Sequence, residues 1–242
     1  LSIKQYEQGE YWKGHKQFCE NFLNPLILKS KKAINFNNWF KGNLEGIETG
    51  ELNNILNFFD KLSYNVFIQV YLLNKLEKNS KLKKNIQVKK NKRNFPKKSF
   101  ISMLLQLRKF ISKLNDKKNI SLWEDYSINN TYKNREEEKK IECVKNFCKK
   151  NKFNKLADIG CNNGLYSSIA LNNSCNYVIG FDYDLNAVDE AFNKSAKKKL
   201  NFLPLYFDAS NPSPNIGWNE KERKSFKERG KFDGIIALAF EH

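Results

Sequence analysis

Three short apolar runs in the second half of the chain, residues 155–159, 177–181 and 203–207, each bring an aspartate to their carboxyl end: Asp158, Asp182 and Asp208. A fourth apolar run spans residues 232–240. Between the first two, residues 164–171 have helical spacing. Between the second and third, residues 185–197 place Ala187, Val188, Ala191 and Phe192 on one face. Ahead of them, residues 136–150 read as an amphipathic helix with Ile141, Val144, Phe147 and Cys148 inward. Strands that alternate with helices of this length make βαβ units, in which the sheet is parallel and buried on both faces. The fold expected is α/β, a Rossmann-like parallel sheet.

The first strand–loop–helix junction reads Ala157-Asp158-Ile159-Gly160-Cys161-Asn162-Asn163-Gly164-Leu165-Tyr166-Ser167. In open α/β sheets ligands sit outside the carboxyl ends of the strands. Gly160 allows close backbone approach there, Gly164 permits a tight helix start, and the helix N-terminus offers N–H groups. A dinucleotide fingerprint needs Gly at its first, third and sixth positions, but Asn162 and Leu165 occupy the last two. Asp158 directly before the loop would repel a pyrophosphate. It suits a ligand with an ammonium group and ribose hydroxyls, a description that fits S-adenosylmethionine. Asp182 stands where a βαβ carboxylate accepts from ribose hydroxyls, and Asp208 where one could accept from an adenine amino group.

These residues resemble the cofactor motifs of class I S-adenosylmethionine-dependent methyltransferases, whose first motif is D/E-x-G-x-G-x-G, with Asn162 in place of the middle Gly. Asn tolerates the left-handed backbone region better than other non-Gly residues. The resemblance implies that Asp158, Gly160, Asn162 and Gly164 hold the methionine end of the cofactor, Asp182 the ribose and Asp208 the adenine. A narrower pattern resembles a bacterial subgroup related to a nodulation protein. It comprises residues 158–164, Asn211-Pro-Ser-Pro214, Gly217-Trp218, Glu222-Arg223, Arg229 and residues 237–242, with residues 12–26 and 123–132 in the other half. That family's sheet has seven strands and four are legible here, so the resemblance implies a core truncated at the C-terminus. The start at Leu1 and the stop at His242, just after an apolar run, read the same way.

Residues 1–120 read as a mostly helical region that covers the acceptor site, and residues 121–242 as the cofactor-binding core. Apolar stripes at helical spacing (Phe18, Phe22, Leu23, Leu26 and Ile27; Leu52, Ile55, Leu56 and Phe59; residues 66–76) are expected to be core, and helical spacing returns at Ile101, Leu104, Leu105, Leu107, Ile111 and Leu114. Pro25 should kink or restart its helix. Residues 81–98, dense in Lys and Asn, read as a solvated loop.

The formal net charge of +17 invites a nucleic-acid reading. Yet Arg93, Arg108, Arg135, Arg223 and Arg229 are the only arginines among 43 basic residues, and Arg is the preferred reader of phosphates and bases. Nucleic acid is therefore possible but not favoured. No stretch approaches the ~18 uncharged apolar residues of a membrane helix; the uncharged residues 62–74 are fewer and include Asn and Gln. Five cysteines without a C-x-x-C pair, and two histidines, imply neither a zinc site nor a disulfide framework, and so a cytoplasmic protein without a metal.

Asn211-Pro-Ser-Pro214 reads as a rigid loop beside the adenine pocket, and Glu222, Arg223 and Arg229 as a charged, solvated stretch of helix. Trp123, Tyr126, Tyr132 and Tyr166 are candidates to border the pocket, with plain packing the blander reading. His242, after Glu241 at the end of the fourth strand, is a candidate general base toward an unidentified methyl acceptor. The alternatives are an NAD(P)-dependent oxidoreductase and a basic RNA-binding or RNA-methylating protein.

Overall fold

The structure, a computed structural model, describes residue 9 and residues 12–82, 96–114 and 134–238. The chain forms two compact units, Leu1–Asn119 and Ile120–His242.

The N-terminal unit is helical. Helix α1 (His15–Phe18) runs through a π-helical turn, Cys19–Leu23, into α2 (Asn24–Lys32). Pro25 lies in the first turn of α2, where a missing N–H is tolerated, so the restart expected of it takes the form of that π turn. Helices α3 (Asn37–Gly42), α4 (Thr49–Ile55), α5 (Phe58–Lys61) and α6 (Tyr64–Val66) follow. A second π turn, Phe67–Leu72, leads into α7 (Leu73–Leu82), and α8 spans Lys97–Ile111. Leu23, Ile27, Leu28, Ile47, Leu52, Val66 and Val70 form the buried core, closed by Leu107 and Phe110 of α8.

Several residues of the expected stripes lie outside this core. Phe22, Phe59, Phe67, Tyr71, Leu72 and Leu76 are exposed. For Phe59 the reason is local. Helix α4 ends in extended backbone at Leu56, and Asn57 begins a new helix with a capping box to Asp60, which turns Phe58 and Phe59 off the α4 stripe. Of the Lys/Asn-rich stretch, residues 83–95 lie outside the described residues, and Lys97 and Lys98 begin α8 rather than belonging to a loop.

In the C-terminal unit α9 (Asn134–Asn151) precedes β1 (Lys155–Ile159), α10 (Leu165–Leu171), β2 (Tyr177–Asp182), α11 (Leu185–Lys198), β3 (Phe202–Tyr206), α12 (Phe226–Arg229) and β4 (Gly234–Ile236). The four strands lie in the order β3-β2-β1-β4, all parallel. This is the Rossmann-like α/β arrangement expected, with β1 central and its carboxyl end beside that of β2.

The register sets Leu156, Asp158, Val178, Gly180, Phe202 and Ile236 on one face, and all are buried. The opposite face is only partly covered. Phe181 and Ala157 are buried, but Ile179 and Leu203 are half-buried, and Leu205 and Ile235 are exposed, Ile235 at 60%. Burial on both faces is thus not reached among the described residues. Phe147 and Phe192, expected inward, are exposed as well. Val144, Cys148, Ala187, Val188 and Ala191 already fill the inward faces of α9 and α11.

The connection from β3 to β4 has no long helix. Ile216 and Arg223 pair as an antiparallel bridge around Trp218, which is 85% exposed, and α12 follows as a single turn. The charged stretch expected to be helical is therefore helical only at Phe226–Arg229.

Candidate functional site

The loop after β1 is fastened to the end of β2. The Gly160 and Cys161 amides both donate to the Phe181 carbonyl, at 2.8 and 3.1 Å. The Asn162 amide donates to Asp182 Oδ2 at 2.8 Å. Gly160, Asn162 and Gly164 have φ of 74°, 46° and 78°, so the loop passes three times through the left-handed region. Asn there is the mildest replacement for glycine. At Gly164, a Cβ would lie 2.4 Å from Phe202 Cε1, so both the backbone and the space demand glycine.

Asp158 is 2% exposed at the end of β1. Its Oδ2 accepts from the Ser167 hydroxyl, one turn into α10, at 2.6 Å. Burial raises its pKa to about 6, the Ser167 hydrogen bond pulls it down, and the negative charge of Asp182 pushes it up. Among the described residues, no cation is among the groups that act on it. Cys161 is buried beside the same pair, and desolvation together with the charges of Asp158 and Asp182 keeps its thiol protonated.

Asp182 is half-buried. One oxygen accepts from the Asn162 amide and the other from the Asp184 amide at 2.9 Å. A carboxylate has about four lone-pair sites, so two neighbouring hydroxyls could still be accepted. Asp184 in turn caps α11 by accepting from the Asn186 amide at 2.8 Å.

Asp208 lies just past β3. The Phe207 amide donates to the Asp182 carbonyl at 2.8 Å, which holds this strand end against that of β2. The Asp208 carboxylate accepts from the Ser210 hydroxyl at 2.6 Å. Beside it the rings of Tyr183 and Tyr206 lie 5.6 Å apart.

Of the residues singled out from sequence, Asp158, Gly160, Asn162 and Gly164 lie along the β1–α10 junction, which hydrogen bonds from Gly160, Cys161 and Asn162 fasten to Phe181 and Asp182 at the end of β2, with Asp208 at the neighbouring strand end. His242 and Glu241 lie outside the described residues, as do Trp123, Tyr126 and Tyr132. Tyr166 packs against the core of the unit.

Asn211-Pro-Ser-Pro214 is pinned from α12. The Phe226 amide donates to the Ser213 carbonyl at 2.9 Å, and Arg229 donates to the Ser213 hydroxyl at 2.8 Å. Phe226 packs on Phe181 and Phe207. Arg229 is thus a brace for this loop rather than only a solvated charge.

Ser167 was not legible as a site residue. Its only signal is a position one helical turn past Gly164, on the side that faces Asp158. The Tyr183–Tyr206 pair had no sequence signal, since the register sets Tyr206 opposite Asp182 rather than Tyr183.

No family model matches the chain. Over its whole length it is 41% identical to nodulation protein NoeA of Rhizobium meliloti, and it spans about half (51%) of that protein's length. Among solved structures it is similar to an S-adenosylmethionine-dependent methyltransferase from Clostridium acetobutylicum, at 19% identity and a TM-score of 0.32 over 47% of this chain and 39% of that one. It is also similar to a chain of the Trypanosoma brucei PRMT1 enzyme–prozyme complex with AdoHcy, at 24% identity and a TM-score of 0.25 over 29% and 21% of the two chains.

Proposed function

We propose that the chain is part of an S-adenosylmethionine-dependent methyltransferase whose cofactor lies across the carboxyl ends of β1, β2 and β3. The observation that carries the reading is the pairing of Asp158 with Asp182. A buried carboxylate beside a second one, with no cation among the described residues acting on it, is matched by a ligand that brings its own positive charge and hydroxyls. A pyrophosphate at the same place would add negative charge to two acids.

The residues fit this cofactor. Asp158 would hold the ammonium end. The left-handed turn at Gly160, Asn162 and Gly164 lets the chain pass close to the amino-acid moiety. Asp182 would accept from the ribose hydroxyls, and Asp208 from the adenine amino group. When bound, the cofactor supplies a methyl carbon made electrophilic by its sulfonium. In-line transfer would break the carbon–sulfur bond, form the bond to the acceptor and leave S-adenosylhomocysteine. Such a displacement depends chiefly on positioning, which is what the fastened loops provide. His242 is proposed as the base that takes the acceptor's proton, and the helical N-terminal unit as the part that selects the acceptor. Five unbridged thiols support a reducing, cytoplasmic setting.

Equilibrium dialysis with tritiated S-adenosylmethionine tests the reading. Saturable retention is expected, weakened about tenfold or more by Asp182→Asn through the loss of charge-assisted hydrogen bonds. Equal retention by the parent and the variant would remove Asp182 from the site.

A further inference from the structure

We propose that Ser167 is a positioning residue for the cofactor: its hydroxyl holds Asp158 by Oδ2, in the charged form and orientation that receive an ammonium group. The inference rests on the methyltransferase reading and adds to it a residue that acts through Asp158 and touches no ligand itself.

Ser167 is fully buried in α10, and Asp158 is 2% exposed at the end of β1, so the hydroxyl and the carboxyl meet in a place closed to bulk water. The hydroxyl donates to Asp158 Oδ2 at 2.6 Å, a length typical of a bond to an ionised acceptor. The next residue shows the alternative open to a helical serine. Ser168 donates back to the Gly164 carbonyl of the preceding turn at 2.8 Å. Ser167 instead reaches out of its helix to the strand, and its amide also favours the charged form of Asp158. Oδ1 keeps acceptor positions for a ligand, since a carboxylate has about four lone-pair sites.

A blander account makes this bond a tie between β1 and α10 and nothing more. The surroundings of Asp158 argue for more. Burial and the charge of Asp182 at the end of β2 both work against its ionisation. Cys161, in the loop between, is a protonated thiol and offers no positive charge. Its partners in the sheet, Gly180 on β2 and Ile236 on β4, are uncharged. Among the described residues, Ser167 is therefore the one that favours the carboxylate over the carboxylic acid. A tie alone needs no such preference, because a protonated carboxyl also accepts from a hydroxyl. A cationic ligand does need it. Without the hydroxyl, Asp158 would stay neutral to higher pH and give an ammonium group no charge to pair with.

The test follows the Asp158 carboxyl carbon by NMR through a pH titration of the whole chain without ligand, and S-adenosylmethionine affinity by calorimetry over the same pH range. Ser167→Ala and Ser167→Cys, the second close in shape with a weaker donor, are compared with the parent. In the parent, the carboxyl signal and the affinity are both expected to change through about pH 6. Ser167→Ala should move both midpoints up by about one pH unit, and Ser167→Cys by less. Affinity of the Ala variant would then be about fivefold weaker than the parent's at pH 6 and within about twofold of it at pH 8. A carboxyl titration unmoved in both variants, or an affinity lost by the same factor at every pH, would overturn the role of Ser167 and leave the cofactor reading standing. Absence of S-adenosylmethionine binding by the parent at every pH would overturn that reading, and this inference with it.

Discussion

A carboxyl group withdrawn from water beside another carboxylate holds its proton more tightly than it does in an unfolded chain, and Asp158 is placed in this way. The sign of the consequence follows. Between the ordinary carboxylate range and about pH 6 the folded protein keeps a proton that the unfolded chain has lost, so stability falls as pH rises through that window. The loss is on the order of 3 kcal/mol. Urea unfolding across pH 4 to 7 should show this slope for the ligand-free protein, and Asp158→Asn should flatten it. The cofactor reading adds an opposite dependence for binding. Affinity for a cationic ligand should increase as pH rises through about 6, when Asp158 ionises. At the loop, Gly164→Ala should destabilise by about 2 kcal/mol or more in chemical denaturation, because strain at positive φ and the overlap with Phe202 add together. Asn162→Gly should fall within about 0.5 kcal/mol of the parent, since Asn already adopts this backbone region.

At the scale of elements, the β1–loop–α10 and β2–α11 units were legible because each signal is local: an apolar run, an acid, a turn residue and then helical spacing. The limits of β1 coincide with the sequence reading, and β3 begins one residue earlier at Phe202, where it pairs with Val178. What failed depended on tertiary context. Phe59 is the clearest case, since its spacing from Leu52 implies one helix while the Asn57 cap divides it into two. Phe192 and Ile235 are exposed because burial depends on what covers a face, which a single element does not encode. The β3–β4 connection was misread for a similar reason. It is held by ring contacts and side-chain hydrogen bonds instead of helical periodicity. Its stability should accordingly rest on Phe226, which bridges Phe181 and Phe207. Phe226→Ala should cost about 2 kcal/mol, less than a fully buried Phe. Exposed Arg229→Ala should cost under about 1 kcal/mol. A reversed order in thermal or urea unfolding would mean that the polar brace, and not the rings, holds this loop.

For the molecule as a whole, the overall charge of +17 says little about function, since it is almost entirely lysine spread along the sequence. The strand ends of the C-terminal unit are the reverse: a cluster of acids in a basic protein. That local inversion is the central claim of the cofactor assignment, and it can be tested without knowing the acceptor. Calorimetric titration with S-adenosylmethionine, with NAD as the parallel ligand and Asp182→Asn as control, measures it most directly. The account predicts micromolar binding of S-adenosylmethionine alone, lost in the variant. Heat from NAD with none from S-adenosylmethionine would contradict it and make these strand ends a nicotinamide site.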